Sequence, residues 1–176
     1  MINMYAVLTN IFWKLVYGFP IIALFILVFT GFDMSFFFYN INFSFKFVYI
    51  IIFFWVLKRP QVLGYGFIFF AGLIHDVVQN FPIGISSINF LLLCVIAAFI
   101  RTKTLLPNLF YDWILFFVAI LIISSVNYTI LTIIFEMPIK YPTLMLNSFI
   151  TFLVYPIFSK IFEMIDLLII RGEDAK

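Results

Sequence analysis

The stretch "AGLIHDVVQNFPIG", residues 71–84, decides how this chain folds. One apolar run ends at Gln79 and Asn80, crosses Pro82, and resumes as a second apolar run after Gly84. Asn tolerates the left-handed conformation that ends a helix, second only to Gly. Pro82 lacks an N–H and has a fixed φ, so it cannot continue the helix. Gly84 accepts unusual dihedrals and close approach. The spacing predicts two helices joined in a tight hairpin. The same stretch holds the single histidine, His75, next to a carboxylate, Asp76. Ionisable groups are costly in an apolar setting and invite a functional reading. There is a structural reading beside it. A carboxylate late in one helix can accept hydrogen bonds from the exposed N–H groups that start the next, where the helix dipole also favours it. Asp76 is then part of the joint. Adjacent helical residues point about 100° apart, so His75 need not share that task.

The rest of the chain gives the hairpin its setting. Of 176 residues, 66% are hydrophobic and 10% are charged. Soluble domains carry roughly 25% charged residues. The chain cannot cover its surface with polar groups, so a lipid bilayer is the expected solvent. The expected class is all-α, with residues 1–176 forming a single integral membrane domain. The net charge is +2 with no basic block, so no nucleic-acid partner is expected. One cysteine, Cys94, makes neither an internal disulfide nor a zinc site. No small-residue cleavage pattern follows the first apolar run, which is expected to be a retained helix.

A hydrocarbon core about 30 Å thick needs about 20 apolar helical residues. Cutting at charges, prolines and polar clusters leaves six candidate spans: Leu15–Thr30, Phe43–Leu57, Gly64–Val78, Gly84–Ile100, Leu109–Phe135 and Thr143–Leu168. With both termini cytoplasmic, the inner segments hold Lys14, Lys58, Arg59, Arg101, Lys103, Lys160, Arg171 and Lys176, against Lys46 and Lys140 outside. That bias is the positive-inside pattern. Before the second span, "NINFSFKF", residues 40–47, alternates polar and apolar side chains. Period two predicts an extended segment, either a surface loop anchored by Phe or an edge that pairs with a partner's strand.

The inventory for chemistry is small. A metal needs three or four ligands, and one His, one Cys and sparse carboxylates do not supply them. A hydrolase needs a nucleophile, a base and an oxyanion site. Ser86 and Ser87 lie just past the turn, yet no second histidine completes a triad with His75. No catalytic residue, cofactor or metal is expected, although proton transfer through Asp76 and His75 is the sharper alternative. Asn89, Ser124, Ser125, Asn127 and Asn147 lie inside spans, and small residues such as Ala71, Gly72, Ser87, Cys94 and Ala98 suit close helix packing. At the cytoplasmic side, Trp55, Lys58, Arg59, Pro60 and Arg101 read as inner-loop anchors. Asp112, beside Trp113, is placed to pair with Arg101 or Lys103.

The core "FFWVLKRPQVLGYGFIFFAGLIHDVVQNFPIGISS" resembles that of the rod shape-determining MreD family. The matching residues are Phe54, Trp55 and Leu57; Lys58, Arg59 and Pro60; Gly72, Leu73 and Asp76; and Pro82 and Gly84. Asn80 stands where that family usually has Gly, and Ile83 where it has Leu. His75 falls at a variable position. "NSFITFLVYPIFSKIFEMI", with Asn147, Tyr155 and Pro156, resembles the family's last span. The resemblance implies a non-enzymatic scaffold of the bacterial elongation complex, which guides lateral peptidoglycan synthesis and so determines cell shape. It implies MreC, MreB, and RodA with its penicillin-binding transpeptidase as partners. It places the chain in the inner membrane. Gly72, Asp76, Asn80, Pro82 and Gly84 would form the structural hairpin and a candidate partner contact. The family is also similar to substrate-binding subunits of energy-coupling-factor transporters. That implies a compact six-helix bundle, and a rival function: binding a vitamin-like small molecule for a transporter.

Overall fold

A computed structural model describes residues 17–31, 34–38, 41–103, 108–136 and 141–174, with the backbone alone for 34–38, 41–43 and 171–174. Lys14, Leu15, Asn40, Lys140 and Lys176 lie outside the described residues. Among the described residues are seven helices: α1 (Tyr17–Thr30), α2 (Phe47–Lys58), α3 (Pro60–Leu63), α4 (Tyr65–Gln79), α5 (Ile85–Lys103), α6 (Leu109–Thr129) and α7 (Tyr141–Asp174). A five-residue π-helical turn, Ile130–Ile134, extends α6. Each of the six apolar runs overlaps one helix, of which Tyr17–Thr30, Phe47–Lys58 and Tyr65–Gln79 are short, and the tiny α3 fills the basic connection. Two helical segments, Ile85–Lys103 and Leu109–Ile134, are long and apolar enough to cross a membrane.

The centre of the molecule is α2. Its residues Val48 to Leu57 are all buried. A helix that is apolar on every side must be enclosed, and α5 and α7 pack against this one. Trp55 is fully buried in that core, with Phe54 and Phe162 beside it. It is therefore not an interfacial anchor as the sequence suggested. Proximity to Lys58 and Arg59 along the chain does not bring it to a surface when the whole helix is enclosed.

Some polar residues lie inside this apolar core, and large apolar ones lie outside it. Asp76, Ser86, Ser87, Asn89, Asp112, Asn127, Ser148, Thr151 and Ser159 are buried, while Phe70, Val95, Phe99 and Phe110 are more than half exposed. Buried polar groups are tolerable when they pair. Asn89 donates to Asn127 at 3.0 Å, tying α5 to α6, and the Ser124 and Ser148 hydroxyls meet at 2.6 Å between α6 and α7.

Two antiparallel strands, β1 (Met34–Phe38) and β2 (Ile41–Phe45), form a hairpin in register Ser35 opposite Ser44 and Phe36 opposite Phe43. They add a small sheet to the all-helical plan. The period-two pattern is real strand over 41–45, so α2 begins at Phe47 rather than at Phe43. The second edge of β2 is held within the chain. Ser44 N–H donates to Asn147 Oδ1 at 3.0 Å, and Lys46 N–H donates to Thr151 Oγ1 at 3.1 Å. Residues two apart on a strand and four apart on a helix both advance about 6 Å, so the two polar side chains meet alternate N–H groups. β2 is thus flanked within the chain by β1 on one side and α7 on the other.

α7 contains Pro156 in its interior. Proline supplies no N–H, so the carbonyl four residues earlier, Phe152, loses its helical donor. Trp113 of α6 takes that place: its indole N–H donates to the Phe152 carbonyl at 2.8 Å, and its ring stacks on Phe152 at 4.7 Å.

Candidate functional site: the joint between two helices

The end of α4 is shaped by backbone bonds first. Asn80 is left-handed at φ 55° and ψ 35°. Asn80 N–H donates to Val77 O and Phe81 N–H to Asp76 O, the paired bonds of a Schellman motif. Phe81 and Pro82 carry the chain across. Gly84 then takes φ +103°, which an L side chain rarely adopts, and its carbonyl accepts the first helical bond of α5 from Ile88 N–H at 3.0 Å. Asn80, Pro82 and Gly84 thus lie together in the turn between α4 and α5.

Asp76 closes the joint. It is wholly buried. Its Oδ2 accepts from Gly84 N–H at 2.7 Å, and Ser86 N–H donates to Oδ1 at 2.9 Å with a longer approach of 3.2 Å to Oδ2. Gly84 and Ser86 stand at the cap and second positions of α5, whose N–H groups have no partner within the helix. A capping group normally comes from the same helix. Here it comes from the preceding one, so the bond that ends the orphan status of α5 also fixes its position on α4. Bonds to a carboxylate are the stronger kind, roughly twice a neutral pair.

Gly72 sets the distance between the helices. A Cβ built there would meet Ser87 Cα at 2.5 Å and Ser87 N at 2.6 Å, so the two backbones touch where only Gly fits. That contact lets Ser87 Oγ donate to the Phe69 carbonyl at 3.0 Å. Ala71 is buried beside it, and Cys94 and Ala97 continue the small face of α5.

His75 is closer to the joint than its sequence position implied. Its Nδ1 lies 2.9 Å from Ser86 Oγ, and its ring meets Phe90 edge-on at 5.5 Å. Phe90 in turn meets Tyr49, and Lys46 Nζ sits 5.2 Å above the Tyr49 ring. These contacts tie the strand hairpin and the α4–α5 joint into one end of the molecule. Ser86, Ser87, Asn89 and Thr151 were not singled out as joint or strand partners from sequence. Each is a short polar residue inside an apolar run, and that was the available signal.

The opposite end is held by charge. Lys58 Nζ is 3.7 Å from Asp112, and Arg59 Nε is 2.8 Å from Asp166. Asp112 thus pairs with Lys58 at the end of α2, not with Arg101 or Lys103. Pro60 opens α3, and its ring is tolerated there because the first helical N–H has no partner in any case. Arg101 is exposed in the last turn of α5, where a cation complements the helix dipole. Among these anchors, Lys58 and Arg59 act within the protein, and Arg101 faces outward.

Among the described residues, no cluster of three or more His, Cys, Asp or Glu is placed to hold a metal ion. Compared with models of known families, with curated proteins and with solved structures, the chain shows no match.

Proposed function

We propose that the protein is a polytopic membrane scaffold of the MreD type, with about six spans, both termini cytoplasmic, and a place in the bacterial inner membrane. On this reading it has no enzymatic activity. It associates with MreC and, through the elongation complex, with MreB and with RodA and its transpeptidase, so that lateral peptidoglycan synthesis is guided and rod shape maintained. One observation carries the reading. Gly72, Asp76, Pro82 and Gly84, four of the residues that carry the resemblance, converge with Asn80 on a single joint. The carboxylate that invited a catalytic reading is occupied by backbone N–H groups of Gly84 and Ser86. The exposed apolar faces of α4, α5 and α6 suit a lipid surround, and the lysines and arginines suit the stated orientation.

The small-molecule transporter reading ranks second. It asks for polar side chains converging on a cavity beside Asp76, and those nearby pair with one another instead: His75 with Ser86, and Asn89 with Asn127. Depleting the protein in its own host tests the first reading. Rods should round up, and labelled wall precursors should leave the side wall. Normal rods after full depletion refute it.

A further inference from the structure

An apolar groove of about 190 Å³ opens between the first turn of α6 and the middle of α7. Leu109, Phe110, Trp113, Tyr155, Pro156 and Ser159 line it together with Lys160. The volume equals that of about six liquid waters at about 30 Å³ each, yet a lining with so few polar partners does not hold ordered water. It suits a run of methylene groups. Pro156 and Trp113 shape the wall, because the indole turns inward to reach the carbonyl that the proline leaves free. Lys160 is exposed, whereas Lys58 and Arg59 are paired with carboxylates. The acidic groups nearest along these two helices are Glu163, one turn beyond Lys160, and Asp112, which already faces Lys58. An apolar slot with an exposed cation among its lining residues is complementary to a lipid with a negatively charged head.

We propose that this groove holds an anionic phospholipid of the surrounding bilayer, its acyl chain against Trp113 and Pro156 and its headgroup at Lys160. The inference rests on the reading that these helices lie in a membrane. One interfacial cation is worth about 1 kcal/mol toward anionic lipid, the equivalent of about fivefold in relative binding.

Trp113 is its own reporter. The full chain carrying Trp13→Phe and Trp55→Phe is reconstituted into vesicles in which brominated-acyl phosphatidylglycerol or brominated-acyl phosphatidylcholine is titrated. Quenching of Trp113 should give about fivefold tighter relative binding for the phosphatidylglycerol. The preference should vanish in Lys160→Gln and return in Lys160→Arg, with unchanged thermal exposure of Cys94 showing that both variants fold. Equal quenching by the two lipids means ordinary annular lipid only and overturns the site, as does a preference that survives Lys160→Gln. A chain that does not enter vesicles at all overturns the membrane reading, and the site with it.

Discussion

Removing the Asp76 carboxylate should unfasten α5 from α4 in graded steps. The two oxygens receive two N–H donors, Gly84 at 2.7 Å in a part-buried bond and Ser86 at 2.9 Å in a buried one, and Asp76 itself is fully buried. In Asp76→Asn the amide oxygen can occupy the Oδ2 position, where it still reaches both donors, at 2.7 and 3.2 Å. The amide nitrogen then faces Ser86 N–H, donor against donor. The loss is about one charge-assisted hydrogen bond, on the order of 1.5–3 kcal/mol. Asp76→Ala leaves the Ser86 N–H buried without a partner, at roughly 1–3 kcal/mol, leaves the part-buried Gly84 N–H unpaired at a smaller cost, and adds a small void. The expected order of stability is wild type, then Asn, then Ala. Cys94 supplies the assay, since it is the chain's one cysteine and is buried on α5. A thiol-reactive dye in mild detergent reads its exposure during a temperature ramp. Both variants should label earlier than wild type, with Ala clearly the earlier of the two. An Ala variant as stable as wild type, or one more stable than Asn, refutes the account of the joint.

Three further outcomes follow from single contacts. Gly72→Ala puts a Cβ 2.5 Å from Ser87 Cα, where ordinary contact begins at 3.4 Å, so α4 and α5 must separate. The overpacking should cost about 1–3 kcal/mol, read by the same dye assay. Trp113→Phe should cost about 0.5–1.5 kcal/mol by freeing the Phe152 carbonyl. In a Pro156→Ala background, where a helical N–H can serve that carbonyl, the same change should cost less. A double-mutant cycle measures the difference. Asn147→Ala should raise amide hydrogen exchange at Ser44, which loses its acceptor, while exchange within α5 stays unchanged.

Much of this architecture is legible along the chain, for identifiable reasons. Asn80, Pro82 and Gly84 are backbone specialists, and their conformations follow from local sterics wherever they sit. The apolar runs predict the long helices because an apolar stretch of that length has few other ways to satisfy its backbone. Trp55 was misread because a Trp beside Lys58 and Arg59 fits the interfacial pattern. The contrary signal was "FVYIIIFFWVL" itself, apolar on every side and hence suited to enclosure. Adjacent helical residues diverge, which in sequence separates His75 from Asp76. Its partner, Ser86, lies on the next helix, and a chain-local reading cannot supply that neighbour. The pairing of Trp113 with Phe152 is tertiary too, although Pro156 marks an orphan carbonyl four residues back. Asp112 stands near the basic segments in sequence, but choosing Lys58 over Arg101 depends on α2 standing at the centre.

The central claim is that this chain is a scaffold that works by association, and co-purification tests it most directly. Tagged protein, extracted in mild detergent from its own host after brief crosslinking, should bring MreC with it. The yield should fall in Gly72→Ala at equal protein level, because the joint shapes the end of the molecule that carries the strand hairpin. Absence of MreC from the wild-type preparation, together with thermal stabilisation of the purified protein by a vitamin-like small molecule, contradicts the claim and supports the transporter reading in its place.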